Sequence, residues 1–245
     1  MTNGKRRAMQ AIRSIVHPTD FSTISMETFF HALRIAVTLK AHLFIQHVAA
    51  ANDERDWMAF PQVRTVLARW GMMQDHEPVE AICEKLGVKV SKVELAPQST
   101  IHAILAFLDK HPGDLMVLAT EARQGVARWL HGSIAEKLAR HAKAPTLFVP
   151  AQARGFVNAA RGEMRLNRVL IPVDREPKPA AAIATVMEFA RALAGIDVEE
   201  RLLHVGRNPP LVERHNEPRR PVPGRCAMAM SWTASSKPPA TGSPT

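Results

Sequence analysis

The chain has 245 residues, 46% of them hydrophobic, with a formal net charge of +9, enough apolar material for one large domain or two small ones. No apolar run approaches the length of a membrane span, and no apolar segment with a cleavage site follows the basic N-terminus, so a cytoplasmic protein without a membrane anchor is expected. Cys83 and Cys226 stand alone, which argues against a disulfide framework or a zinc site; the excess charge is spread thinly rather than gathered in an aromatic-interleaved stripe, which argues against specific nucleic-acid binding.

In chain order, short apolar segments rich in β-branched residues predict strands at 13–18 (RSIVHP), 43–48 (LFIQHV), 88–95 (VKVSKVEL), 114–120 (DLMVLAT) and 145–150 (PTLFVP). Helical spacing joins Met26, Phe29, Phe30, Leu33 and Val37 after the first strand. The same spacing joins Ile101, Ile104, Leu105 and Leu108 before the fourth. A further helical region, 61–86, is interrupted near Gly71 and before Pro78. Regular alternation of strand and helix predicts an α/β fold: a doubly wound, five-stranded parallel sheet with helices on both faces, Rossmann-like. In such sheets ligands lie beyond the carboxyl ends of the strands, where strand order reverses. Asp20 and the loop after the fourth strand occupy such ends.

After residue 150 the opening pattern returns. The stretch RVLIPVDRE at 168–176 echoes SIVHPTDFS, with Pro18 and Asp20 matched by Pro172 and Asp174. A helical pattern and a second strand follow in both copies, and His47-Val48 recurs as His204-Val205. The expected organisation is a domain over 1–150, a linker over 151–167, and a partial second domain over 168–205. A Pro-rich basic tail over 206–245 holds eight of the 18 prolines and no sustained period, which predicts disorder.

The block DLMVLATEARQGVARWLHGSIAEKLARHAKAPTLFVP, with the Pro18-Thr19-Asp20 turn and the His-Val strand, resembles the universal stress protein family over 12–150. The resemblance implies an adenine nucleotide alpha hydrolase-like fold. Nucleotide-binding members carry G-2x-G-9x-G-[ST] here; this chain keeps the spacing with Ala119, Ala122, Gly132 and Ser133. By resemblance, Asp20 and Val48 flank the adenine and ribose end of ATP, with Pro18 and Thr19 beside them. Leu118 and Ala119 open the phosphate loop, and Gly132, Ser133 and Ile134 close it. The chemistry suits an anion, because unpaired N–H groups and the helix dipole converge at a helix start. Arg123 adds a phosphate partner. Magnesium would accompany the triphosphate.

The alanines oppose this reading. Each places a Cβ where the family has bare backbone, at about 1 kcal/mol wherever φ must be positive. Ser133 and Glu136 also form a complete capping box without any ligand, and Asp20 has a purely local role in shaping the turn. His47 and His204 read as packing or hydrogen-bonding residues. Two functions therefore stand at this point. One is a stress-response regulatory protein with a weak ATP site, acting through nucleotide-dependent assembly or partner binding. The other is a nucleotide-free dimerisation module. No Walker lysine motif, GxSxG or HExxH supports an enzyme beyond slow ATP hydrolysis. Self-association is expected through the 145–150 edge.

Overall fold

A computed structural model describes residues 12–49, 59–120, 133–151, 153–195, 198–206 and 210. The chain divides into two compact units, the first up to Leu166 together with Ala192–Ile196, the second Asn167–Arg191 and the chain from Asp197 on. In the first unit the apolar runs form strands β1 (Ser14–Pro18), β2 (His42–Val48), β3 (Val90–Leu95), β4 (Leu115–Thr120) and β5 (Thr146–Pro150). The helices between them are α1 (Thr23–Leu39), α2 (Val63–Arg69), α3 (Ala81–Leu86), α4 (Thr100–Lys110) and α5 (Ile134–His141). All pairings are parallel, in the order β3-β2-β1-β4-β5, so strand order reverses between β1 and β4.

Side-chain alternation sorts the sheet into two buried faces. His17 points to the α1 face, where its ring lies 6.3 Å from that of Phe29. Met116 and Leu118 point the other way and pack with Ile104 of α4 and Leu138 of α5. On α1, Phe29, Phe30, Leu33 and Ala36 are buried, while Met26 and Val37 are half-buried. Ser22 caps that helix by accepting from the Ser25 amide at 3.2 Å. The expected interruption between 61 and 86 is present: α2 stops at Arg69, just before Gly71 with φ +70°.

The opening of the β1–β4 pair is fastened by one carboxylate. Asp114 Oδ2 accepts from the Arg13 and Ser14 amides at 2.9 and 3.0 Å and from Ser14 Oγ at 2.9 Å.

Residues 153–166, within the expected linker, pack against the rest of the first unit. His31 Nε2 accepts from the amides of Phe156 and Val157 at 3.2 and 3.3 Å. Trp70 Nε1 and Arg69 donate to the Ala159 carbonyl at 2.9 and 3.1 Å. An isolated antiparallel bridge joins Val157 to Met164. Gly162 sits in the turn at φ +66°, where an added Cβ would strike the Trp70 ring.

The second unit contains β6 (Arg168–Pro172), α6 (Ala180–Ala194) and β7 (Glu199–Leu203), with β6 and β7 paired in parallel. It repeats the local bonding of the first. His47 Nδ1 donates to the Thr19 carbonyl at 3.0 Å, and His204 Nδ1 to the Val173 carbonyl at 3.1 Å. The Thr19 amide donates to Gln46 O and the Val173 amide to Leu203 O, at 2.7 and 2.8 Å. Cover differs between the copies. Val16 is 0% exposed, whereas Leu170, at the matching place on β6, is 59% exposed. Among the described residues the second unit has no counterpart of α4 or α5.

Gly162→Ala should destabilise the first unit by about 1–3 kcal/mol, combining a left-handed backbone with collision against a buried indole. Urea unfolding followed by tryptophan fluorescence checks this; a wild-type midpoint would refute the packed turn.

Candidate functional site

Eight of the predicted site residues fall within the described structure, all at or near the carboxyl edge of the sheet or the start of α5. Pro18 ends β1, with Thr19 and Asp20 after it; Val48 ends β2; Leu118 and Ala119 lie in β4; Ser133 and Ile134 open α5. The reversal between β1 and β4 brings the β1 and β4 contributions side by side. Ala122, Arg123 and Gly132 lie outside the described residues.

Ala119 belongs to β4 and pairs with Val149, and its φ is not positive. The penalty attached to a positive φ therefore does not apply at this alanine; the methyl group costs only the space it occupies.

Ser133 has extended backbone (φ −72°, ψ 154°), and its hydroxyl accepts from the Glu136 amide at 3.0 Å. The predicted N-cap is thus formed. Glu136 in the first turn and Arg140 and His141 in the last complement the helix dipole. Ile134 is 52% exposed, an apolar side chain left open at the helix start.

Asp20 is held by its own turn. Its Oδ1 accepts from the Ser22 amide at 3.0 Å and from the Ser25 hydroxyl in a short hydrogen bond. Burial pushes the Asp20 carboxyl up, but these hydrogen bonds outweigh that and hold it below its usual range. The next residue, Phe21, has φ 61°, a strained conformation for an aromatic residue. Its ring stacks on His47 at 4.1 Å and meets the edge of Phe60 at 5.1 Å. Lys92 Nζ lies 5.9 Å from the Phe60 ring centre. Sequence reasoning passed over Phe21 and Phe60, because nothing in their local pattern marks a stack formed across loops.

It also passed over two buried polar side chains. His17 is fully buried, and its Nδ1 donates to the Val117 carbonyl at 3.0 Å, tying β1 to β4; Nε2 has no partner. Gln46, on β2, is 1% exposed, and among the described residues neither Nε2 nor Oε1 has a partner. The signal was available in both cases: a polar residue inside an otherwise apolar strand. A separate cavity of about 330 Å³ opens between α1 and the end of β5, lined by Glu27, His31, Val149 and Arg154 among others; it includes none of the predicted nucleotide residues.

Burial drives the His17 pKa down to about 4 from 6.5, with the Val117 carbonyl acting against it, and burial also lowers His31 and His42. The unfolded chain then binds more protons, so stability is full above about pH 6.5 and is lost as pH falls toward 4. His17 alone accounts for roughly 3 kcal/mol of that loss. Asp20, shifted down, adds its loss only below its ordinary value of 3.8. His17→Leu should flatten the urea midpoint between pH 6.5 and 4 relative to wild type; an unchanged slope would refute the assignment.

The family model described as the universal stress protein family matches residues 11–150. A universal stress protein of Methanocaldococcus jannaschii is 28% identical over 150 residues, covering 59% of this chain and 85% of that protein. The structure of universal stress protein UspA from Lactobacillus plantarum has 20% identity and a TM-score of 0.39, over 57% of this chain and 99% of that one. The structure of an Archaeoglobus fulgidus universal stress protein in complex with dAMP has 16% identity and a TM-score of 0.35, over 57% and 98%. With the family model spanning the whole five-stranded sheet, this chain belongs to the universal stress protein family.

Proposed function

We propose that the first unit is a stress-response regulatory module that binds an adenine nucleotide, ATP, weakly and acts through nucleotide-dependent assembly or partner binding. One observation carries the reading. The β1–β4 reversal gathers Pro18, Thr19, Asp20, Leu118 and Ala119 at the carboxyl edge, with Ala119 in unstrained strand backbone. Val48 and the capped start of α5, Ser133 and Ile134, complete the described set. Magnesium would accompany the triphosphate, whose own oxygens can ligate it. We assign no catalytic residue and propose at most slow hydrolysis, because fold alone does not license a reaction.

Assembly would use β5, an outer strand of the sheet, whose free edge suits pairing with a second copy. Residues 168–205 are read as a partial second domain of the same kind, on the strength of the repeated His-to-carbonyl bond. The rest of the division is proposed as before: a connector over 151–167 and a disordered tail over 206–245. A cytoplasmic setting goes with it; no described helix is long and apolar enough to cross a membrane.

A second reading, a nucleotide-free dimerisation module, is favoured by one feature. The Asp20 turn and the Ser133 cap are both satisfied from within the chain.

Calorimetry at millimolar ATP separates the two: heat of binding supports the first, and its absence, with no nucleotide released from purified protein, leaves the second. Ala122→Gly should tighten ATP binding up to about tenfold by removing a Cβ from the phosphate loop. Ala119→Gly should gain nothing and lose about 0.5–1 kcal/mol of stability, because glycine weakens a strand. Light scattering should find dimers at high concentration; monomer throughout would rule out pairing through β5.

A further inference from the structure

We propose that the buried carboxamide of Gln46 reads the base edge of the bound nucleotide and makes the site selective for adenine; this rests on the nucleotide-binding function above. Gln46 pairs with Pro18 on β1 and with Val93 on β3. Alternation along β2 places its side chain on the same face as Val48, two residues on, and parallel register places it on the same face as Pro18. Pro18 and Val48 are both half-buried residues of the nucleotide edge. Gln46 therefore stands one side-chain step below Val48, at the rim on which the base is expected to rest.

Its chemistry is unfinished. Both polar atoms are sealed from solvent, and neither has a partner among the described residues. Buried polar groups are ordinarily hydrogen-bonded, and leaving one unmade forfeits its hydration without return. An apolar residue of similar size would serve the interior better, as the second copy illustrates. The residue preceding its His-Val pair is Leu203, which receives the same backbone bond from Val173 that Gln46 receives from Thr19. The local template thus accepts a leucine. In the first unit the position holds a group offering a donor beside an acceptor.

The ligand edge that satisfies such a group presents an acceptor beside a donor. Adenine does so with N7 and its 6-amino group, the pairing through which glutamine recognises adenine in other settings. Hypoxanthine and guanine place two acceptors, N7 and O6, along that edge, so the amide oxygen would face an acceptor. The other orphaned buried nitrogen nearby, His17 Nε2, belongs to the opposite face under α1 and does not compete for this role.

The test compares wild type with Gln46→Leu, titrating each with ATP and with inosine triphosphate, whose base carries a 6-oxo group and an N1 proton in place of the 6-amino group. Wild type should favour ATP by about tenfold or more. Gln46→Leu should bind ATP about tenfold more weakly and treat the two nucleotides nearly alike, with a melting temperature unchanged or raised. A variant that binds ATP as wild type does, with the same preference, overturns the role of Gln46 while leaving nucleotide binding intact. Wild type that binds neither nucleotide overturns the functional reading itself, and this proposal with it. The side-chain ¹⁵NH₂ resonances of Gln46 in wild type supply a readout independent of variant folding: they should shift on saturation with ATP, and unmoved resonances overturn the proposal.

Discussion

The pairing of β1 with β4 is the contact on which the rest of the first unit depends. These strands are about one hundred residues apart in the chain and lie side by side only because Ile15 and Val16 pair with Leu115 and Met116. Two side chains reinforce the seam. Asp114 gathers the amides at the opening of β1, and His17 reaches from the middle of β1 to the Val117 carbonyl. Closing so long a loop has an entropic cost, so the seam must be supported by buried contacts on both faces. The α1 face and the α4–α5 face provide them. The predicted site residues of β1 and β4 come together at the carboxyl edge because this seam is where the strand order turns back.

Satisfaction of polar groups separates structural residues from functional candidates. Asp20, Ser22, Ser25, Thr19 and His47 bond with one another or with nearby backbone and make a hydrogen-bonded turn. Phe21 tolerates a left-handed backbone because its ring is packed between His47 and Phe60. Among the described residues Gln46 differs, a buried amide on the α4–α5 face with neither polar atom matched.

The second unit shows what a duplicated strand-helix-strand keeps when its context changes. The bond from histidine to the carbonyl following the proline-ended strand recurs with nearly the same length, because it depends only on β6 and β7 lying in the register of β1 and β2. The Asp20 turn does not recur. Asp174 accepts from the neighbouring Arg175 amide, and Glu176 and Pro179 stand where Ser22 and Ser25 would be. Leu170 and Leu203 stay exposed on the face that α4 and α5 cover in the first unit.

Local features were legible in the chain itself. The five strands, the interrupted helical stretch before Val88 and the caps at Ser22 and Ser133 follow from periodicity and from side chains bonding within three residues. The alternation of strand and helix also gave the parallel sheet. Three matters were settled only in three dimensions. Whether Ala119 needed a left-handed backbone depended on how far β4 extends along β5, a pairing between distant segments. The fold of residues 153–166 depended on His31 and Trp70, whose partners lie 89 or more positions away and leave no periodic trace in that stretch. The isolation of the Gln46 amide depended on register with β1 and β3, since an unmet hydrogen bond is a property of everything around a group and not of the group alone.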